Sequence, residues 1–162
     1  MIYFTSFIFT LLLAHIARAV PACGDIASPE GVYNPTIDTE QAVIHATFKV
    51  TWDSIYCNPK GNTSSVACSN LAGKYPYFGD FPSFPYLGGA FDIKFGSPNC
   101  GKCWKLINTK NRKSIYFTAI DSAESGFNLG KCAFIELNGG TVGSGILEAE
   151  AIAVPRHFCG FK

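Results

Sequence analysis

Two aspartates stand at the ends of candidate strands, where their carboxylates could work together on a carbohydrate. Asp53 ends one such segment and Asp121 follows another, so the two carboxylates could meet across a groove of a β-barrel and serve as acid and base on a glycosidic bond. A structural interpretation of Asp121 is also open, because a carboxylate before Ser122 can accept backbone N–H bonds in a turn.

Motifs of other reactions give no support for catalysis. Neither His45 nor His157 has a nucleophile motif beside it, and the sequence contains no Gly-x-Ser-x-Gly, His-Glu-x-x-His or phosphate-binding loop. The sequence therefore favours a binding protein over an enzyme, and it predicts neither a cofactor nor a metal.

The first 19 residues are typical of a secretory signal. Residues 7–16 are mostly apolar and Ala17-Arg18-Ala19 has the small-x-small pattern of signal peptidase sites, which predicts cleavage after Ala19. An uncleaved anchor is the alternative, but the run is short for a spanning helix. Cleavage removes Arg18, one of 13 basic residues that face 12 acidic ones. The resulting neutrality disfavours nucleic acid as a partner, and the mature chain has no other run that could span a membrane.

The cysteines predict a disulfide framework, because secreted proteins meet an oxidising compartment. The chain has seven of them, at positions Cys23, Cys57, Cys68, Cys100, Cys103, Cys132 and Cys159. Three bridges would leave one over, and spacing cannot choose the pairing. Redox or zinc chemistry is the alternative for Cys100-Gly101-Lys102-Cys103; the compartment favours structural bridges from each cysteine to a different distant partner.

Residues 20–47 predict a loosely ordered extension that precedes one folded domain. This extension contains Pro, Gly and Asp with little periodicity, and its Cys23 is the candidate odd thiol. Asn62-Thr63-Ser64 is a glycosylation sequon, which in a secreted chain suggests that Asn62 lies in an exposed loop.

Short strands dominate the predicted domain, residues 48–162. Alternation predicts strands at 48–52 and at Phe91, Ile93 and Phe95, while apolar and β-branched runs predict strands at 103–107, 114–120 and 146–154. Residues 132–138 predict a short helix that stops at Gly139-Gly140. Many short strands and 16 glycines indicate a small β-barrel.

Residues 75–86 are unusually rich in aromatic side chains. Six aromatics are interleaved with three prolines in this segment. One interpretation is a rigid loop whose rings enter the core, because aromatics contribute the largest hydrophobic areas. The other is an exposed stacking surface for sugar rings, and the two can share the rings between them.

Two motifs resemble the signature of the cerato-platanins, which are small secreted fungal proteins. They are Phe81-Pro82-Ser83-Phe84-Pro85-Tyr86-Leu87-Gly88-Gly89 and Ser97-Pro98-Asn99-Cys100-Gly101-Lys102-Cys103-Trp104, followed by Ala119-Ile120-Asp121, Ser125-Gly126-Phe127-Asn128, Asn138-Gly139-Gly140 and a terminal Cys159. The resemblance covers about residues 50–159. It implies a six-stranded double-psi β-barrel similar to the first domain of expansins, without established hydrolase activity.

The resemblance also implies site residues and a disulfide pairing. It pairs Cys68 with Cys100 and Cys103 with Cys159. Family members bind chitin-type N-acetylglucosamine oligomers, loosen polysaccharide networks and elicit plant defence. Trp52-Asp53 matches the family's Tyr-Asp near the start of the domain, and Tyr56 matches its second aromatic position. Asp121 matches an aspartate by the family's oligosaccharide groove.

The chain departs from the family pattern in three ways: the extension, the additional cysteines and Ser122, where the family usually has His. Cys57 and Cys132 flank segments near the expected groove, which predicts a third disulfide between them. Cys23 would then be free or form an intermolecular bridge.

The sequence therefore predicts a mainly β, disulfide-stapled, six-stranded double-psi barrel with one or two short helices, secreted to the extracellular space or cell wall. It predicts a non-catalytic protein that binds cell-wall oligosaccharides through Trp52, Asp53, Tyr56, Ser97, Asn99, Asp121 and Asn128. One alternative is a glycosidase or lytic transglycosylase with Asp121 as acid and Asp53 as base. Another is an effector or elicitor that is recognised by a host receptor.

Overall fold

Alternating apolar residues build the first strand of a closed barrel. The computed structural model describes residues 46–162, in which six strands close in the order β1-β5-β2-β4-β3-β6. Their bounds are β1 Thr47–Asp53, β2 Leu87–Ala90, β3 Lys102–Asn108, β4 Ser114–Ser122, β5 Phe127–Gly130 and β6 Leu147–Val154, with one α-helix in this part of the chain, α1 Lys131–Leu137. The six-stranded, mainly β barrel is confirmed. The predicted signal, residues 1–19, and all but the end of the 20–47 extension lie outside the described residues.

Four longer strands carry most of the barrel wall and were predicted from their patterns. β3 pairs antiparallel with both β4 and β6, and β6 pairs antiparallel with β1. Their inward side chains are large and apolar, so the barrel interior is a packed core. The fully buried members of this core include Val50, Trp104, Leu106, Ile115, Phe117, Phe127 and Leu129.

Two four-residue strands complete the barrel through parallel pairings. β5 lies parallel to β1, β2 lies parallel to β4, and β2 and β5 are antiparallel to each other. The centre of β2 is Gly88-Gly89, where the backbones approach closely. A methyl group on Gly88 would lie 2.5 Å from the Asn128 carbonyl oxygen, and one on Gly89 would lie 2.6 Å from that of Ser122. Glycine at these positions therefore permits the strand order.

The predicted strand at Phe91, Ile93 and Phe95 is wrong. Residues 91–101, here called the 91–101 loop, form successive turns in which the amide of Ile93 donates to the Ala90 carbonyl. The alternation arises because Phe91 packs on Phe48, at 4.9 Å between ring centroids, and Ile93 is buried, whereas Phe95 is exposed. Turn hydrogen bonds, not ladder pairing, hold this segment.

Two disulfides follow the pairing that the family resemblance implies. Cys68 bonds to Cys100 and Cys103 bonds to Cys159, with Cα–Cα distances of 5.3 and 5.9 Å. The two cysteines of the Cys-x-x-Cys motif thus bridge to separate distant partners, as predicted.

The predicted Cys57–Cys132 bridge is wrong. Within residues 46–162, Cys57 has a free thiol, whereas Cys132 is disulfide-bonded and so has no sulfur valence left for Cys57. The two residues are still neighbours, because the Cys57 sulfur accepts a hydrogen bond from the backbone N–H of Cys132 at 3.2 Å. The predicted odd thiol, Cys23, lies outside the described residues.

The aromatic segment at 75–86 lies mainly in the core. Tyr75, Phe78, Phe81 and Tyr86 are buried, and the Tyr75 and Phe81 rings stack with centroids 4.7 Å apart. Tyr77 is half exposed. The core interpretation is therefore confirmed for most of the rings.

The helix α1 begins directly after β5 and ends where the glycines predict. The amides of Gly139 and Gly140 donate to the carbonyls of Glu136 and Ile135, and both glycines have positive φ. This is a glycine-terminated helix end. The helix packs against β1, β4 and β5.

Candidate functional site

Strand pairing in the barrel brings four residues that are far apart in the sequence into one row across four adjacent strands. Thr51 on β1 is in register with Asn128 on β5. Gly89 on β2 is in register with Asn128 on one side and with Asp121 of β4 on the other. Residues in register share a face of the sheet. Gly89 has no side chain, and a methyl group there would lie 2.6 Å from the Ser122 carbonyl oxygen, so the polar side chains of this row are those of Thr51, Asn128 and Asp121. We call the row Thr51, Asn128, Gly89 and Asp121 the groove.

Three hydrogen-bond donors fix the carboxylate of Asp121. Its Oδ2 accepts from the Tyr56 hydroxyl at 3.0 Å, and its Oδ1 accepts from the backbone amides of Ala67 at 3.0 Å and Ser122 at 2.8 Å. The predicted backbone contact with Ser122 is confirmed. A carboxylate has about four lone-pair sites, so a ligand hydroxyl can still donate to this group. Asp121 is therefore a preorganised acceptor on a half-buried position.

Tyr56 lies across the glycine strand and ties β5 to β4. A methyl group on Gly130 of β5 would lie 3.3 Å from Cβ of Tyr56, while the Tyr56 hydroxyl reaches Asp121 on β4. Because β2 lies between β5 and β4, the side chain must cross β2. Its ring is 4% exposed, so it is not open for stacking on a sugar. Tyr56 instead positions Asp121.

Burial and negative charge raise the pKa of Tyr56 well above its ordinary value. Loss of hydration is the largest cause, and the charge of Asp121 is the next, because an ionised phenol would face the carboxylate. The charge of Asp53 adds to the effect. The phenol therefore stays protonated and acts as a donor to Asp121.

Asp53 holds the turn that carries Tyr56. Its Oδ1 accepts from the amide of Ile55 at 2.9 Å and caps the 3-10 turn Ser54–Cys57. Asp53 is exposed, so its second oxygen faces solvent and can accept from a ligand.

Asn128 supplies the amide on the other side of the groove. The Thr51 hydroxyl donates to its Oδ1 at 3.0 Å, and the side-chain NH₂ donates to the Tyr56 hydroxyl oxygen, so its second N–H is the donor that remains for a ligand. The groove therefore offers fixed acceptors on Asp121 and a donor on Asn128, the combination that recognises hydroxyl and amide groups.

Comparison with known proteins identifies the family. A sequence model described as Cerato-platanin matches residues 48–161. The chain belongs to the cerato-platanin family. The heat-stable 19 kDa antigen of Coccidioides posadasii is 35% identical, over 76% of this chain and 88% of the antigen. Cerato-platanin of Ceratocystis fimbriata f. sp. platani is 41% identical, over 57% of this chain and 71% of that protein.

Solved structures of the cerato-platanin family share the fold. The crystal structure of cerato-platanin 2 from M. perniciosa has a TM-score of 0.67 and 36% sequence identity, and the match covers 72% of this chain and 100% of that chain. The solution structure of the fungal elicitor Cerato-Platanin has a TM-score of 0.64 and 36% identity, with 68% of this chain and 95% of that chain covered.

Three further sequence-predicted residues, Trp52, Ser97 and Asn99, are not part of the groove row. Trp52 is half buried and lies under the Lys131 ammonium group, 5.0 Å from the ring centroid, with its indole nitrogen against Gly145. Asn99 donates from its side chain to the Asp92 carbonyl at 3.1 Å, so it is engaged inside the 91–101 loop. The buried hydroxyl oxygen of Ser97 has no hydrogen-bond partner among residues 46–162.

Sequence reasoning missed two residues of the groove, Thr51 and Gly89, and the Ala67 amide that binds Asp121. Thr51 and the Ala67 amide depend on strand register and chain packing, for which the sequence carries no signal. Gly89 does carry one, because a glycine inside a strand indicates close approach of another backbone.

The exposed sequon side chain shows how its loop is built. Asn62 is exposed, as predicted, and its Oδ1 accepts from the Ser64 amide at 2.8 Å to cap the 3-10 turn Thr63–Ser65. Glycosylation at Asn62 stays a prediction.

A separate polar cavity lies at the barrel end that α1 covers. It has a volume of about 610 Å³ and lies between the β3–β4 turn and the loop from α1 to β6. Its walls are formed by Asn108, Thr109, Lys110, Asn111, Asn138, Thr141, Gly143, Ser144, Ile146, Leu147 and Glu148. The seven predicted binding residues are not among them.

No group of three or more His, Cys, Asp or Glu side chains in residues 46–162 could hold a metal ion. None of the helices in that range has the length and apolar character needed to cross a bilayer.

Proposed function

We propose that this member of the cerato-platanin family is a secreted protein that binds chitin-type oligosaccharides in the groove without cleaving them. The observation that carries the proposal is the fixed Asp121 carboxylate, held by Tyr56, Ala67 and Ser122 and separated from the Asn128 amide by Gly89. A shallow groove with a few fixed polar groups suits an extended chain of sugars better than a small enclosed ligand.

The proposed mechanism of cell-wall loosening needs no covalent step. Sugar hydroxyls would donate to Asp121 and Asp53, and acetamido or hydroxyl oxygens would accept from Asn128. Hydrogen bonds to a charged group are stronger than neutral ones, so the groove can compete with the hydrogen bonds between neighbouring polysaccharide chains. A bound chain is thereby held away from its neighbours.

Glycoside cleavage is less well supported by the same contacts. Asp121, the acid of the enzymatic alternative, accepts three hydrogen bonds, so its contacts are those of an acceptor and not of a group that directs a proton into the groove. A general acid must reach the leaving oxygen with its proton.

Asp121→Asn tests the binding proposal. The variant keeps the shape and removes the charge that sugar hydroxyls would bond, so we expect oligosaccharide affinity to fall about tenfold, since a charge-assisted hydrogen bond is worth about 1.5–3 kcal/mol. Glu148→Gln removes an exposed carboxylate on β6, outside the groove, and serves as the control.

The measurement is calorimetric titration of the oxidised protein with N-acetylglucosamine and cellulose oligomers, with the same samples monitored for shorter products. Equal affinities of wild type and Asp121→Asn would contradict the groove as the binding site. Released short oligomers would replace the binding proposal by hydrolysis.

Recognition by a host receptor is a second candidate function. It is favoured by the description of a solved relative as a fungal elicitor. A plant-cell response that Asp121→Asn retains in full would place recognition on another surface, whereas joint loss of sugar binding and response would assign both to the groove. A pull-down with and without residues 20–47 tests whether the extension, with Cys23, is part of that surface.

A further inference from the structure

Phe95 is an aromatic residue whose side chain is exposed to solvent. It is 82% exposed, against 51% for Tyr77 and 50% for Ile146. We propose that Phe95 is the stacking platform on which the groove receives the apolar face of a sugar ring. The inference rests on the proposed function and assigns the aromatic contact that Tyr56, being buried, cannot supply.

Two hydrogen bonds connect the loop of Phe95 to the groove carboxylate. The Ala67 amide donates to Asp121, and the Ala67 carbonyl accepts from the amide of Gly96 at 2.9 Å. Bond lengths along this path place the Gly96 nitrogen at most about 10 Å from the carboxylate. Phe95 is the preceding residue, so its backbone lies near Asp121, at one end of the groove, and its exposed ring is within reach of a sugar chain bound there.

The 91–101 loop is braced on both sides of Phe95. Asp92 forms an ion pair with Lys102 at 2.9 Å, and Cys100 is bonded to Cys68. Ile93 is buried, and the Asn99 side chain donates to the Asp92 carbonyl at 3.1 Å. A braced loop loses little conformational freedom when a ligand binds, and this increases affinity.

The other phenylalanine of the same loop, Phe91, is packed against the core, unlike the exposed Phe95. Phe91 packs between Phe48 and Trp104, with centroids 4.9 and 5.8 Å away. Phe95 instead lies before Gly96, whose φ of +62° turns the chain and around which a methyl group would find open space. The turn therefore presents one ring outward while the other fills the core.

The chemistry of the ring matches that of the proposed ligand. A pyranose has a face of C–H groups that loses contact with water when it lies on an aromatic face, and its hydroxyls lie around the edge of the ring. A sugar on Phe95 would therefore bury apolar area against the ring, while neighbouring units of the chain reach Asp121 and Asn128.

The test compares Phe95→Ala, Phe95→Trp and the control Ile146→Ala, which shortens another exposed apolar side chain, at the β1–β6 side of the barrel and not at the Asp121 end of the groove. Each variant is titrated with N-acetylglucosamine hexamer beside wild type and Asp121→Asn. We expect Phe95→Ala to weaken binding about tenfold, Phe95→Trp to restore it, and Ile146→Ala to leave it unchanged. The introduced indole of Phe95→Trp should become protected from iodide quenching when the hexamer binds.

The outcomes separate this inference from the function on which it rests. Binding that Asp121→Asn weakens and Phe95→Ala does not would overturn the role of Phe95 alone. A wild type that binds no hexamer would overturn both. A change of sedimentation coefficient in Phe95→Ala, with sugar affinity unchanged, would assign the ring to contact between protein copies and overturn the sugar platform.

Discussion

At the scale of single residues, the hydroxyl of Tyr56 decides how Asp121 is presented. The phenol is buried and donates to one carboxylate oxygen, while two backbone amides hold the other. A buried donor that loses its acceptor, or an acceptor that loses its donor, is destabilising. The tie between Tyr56 and Asp121 therefore contributes both to stability and to the orientation of the groove.

Tyr56→Phe should lower stability near neutral pH by about 2 kcal/mol, the value of a hydrogen bond to a charged group. Burial and Asp121 raise the pKa of Tyr56 above the ordinary 10.0, so the folded state holds this proton more tightly than the unfolded state. The contribution is fully present below pH about 10 and is lost as the pH rises through the higher folded pKa. The deficit of the variant should therefore shrink above pH 10 in urea unfolding curves.

Tyr77→Phe is the matched control for this pH dependence, because Tyr77 is half exposed and forms no hydroxyl contact with Asp121. It removes a phenol hydroxyl and leaves the contact with Asp121 intact. A Tyr56→Phe deficit that does not change between neutral pH and pH above 10 would argue against titration of the buried phenol. The pKa of Tyr86 is also raised, by burial and by Glu136. Tyr86 is present in wild type and in both variants, so its contribution to the pH dependence of stability is common to all three.

Residue types near the groove could be predicted, but their contacts could not. The ends of candidate strands indicated Asp53 and Asp121, and the family resemblance added Tyr56. The sequence suggested no reason why Tyr56 should be buried, since that follows from its crossing of β2 between β5 and β4. Its assignment as a positioning residue thus requires the barrel order.

At the scale of elements, β2 determines whether the groove exists. Its two central glycines let the backbones of β4 and β5 approach, which brings Asn128 and Asp121 to either side of Gly89. A side chain at either glycine would meet backbone oxygen, which cannot rotate away as a flexible side chain can.

Gly89→Ala should therefore destabilise the protein by about 1–3 kcal/mol, the usual range for overpacking, and weaken sugar binding. The added methyl would lie 2.6 Å from the Ser122 carbonyl oxygen, next to Asp121. Gly73→Ala is the control, because a methyl there meets nothing within 4 Å; it should be neutral or stabilising by up to about 1 kcal/mol. Thermal unfolding of the two variants checks this, and equal melting temperatures would contradict the close approach.

The sequence predicted long elements better than short ones, for a physical reason. β1, β3, β4 and β6 have seven to nine residues with apolar, alternating or β-branched patterns, and these patterns are produced by burial on a sheet. β2 and β5 have four residues each and contain glycine, so no period can form. In residues 91–95 the alternation arises because a turn-rich loop packs on the core. A strand would give the same alternation, so the pattern alone cannot tell the two apart.

At the scale of the whole molecule, two disulfides brace different parts of the structure, and only one of them lies next to the groove. Cys103–Cys159 joins the start of β3 to the 3-10 turn Arg156–Cys159. Cys68–Cys100 joins the residue after Ala67 to the 91–101 loop. The amide of Cys68 also donates to the Ile120 carbonyl beside Asp121 at 3.0 Å. The second bridge thus connects the groove carboxylate with the loop of Phe95.

Removing either bridge should lower stability by a similar amount, but only one removal should change binding. The bridges close segments of 32 and 56 residues, for which the chain-entropy model gives about 4 kcal/mol each. Double replacement of Cys68 and Cys100 by Ala also releases Ala67 and the 91–101 loop, so sugar affinity should fall. Double replacement of Cys103 and Cys159 should leave the affinity of the folded protein near that of wild type. Titration at a temperature where both variants are folded measures the difference, and equal losses of affinity would show that the barrel as a whole, not the Cys68–Cys100 bridge, holds the groove in place.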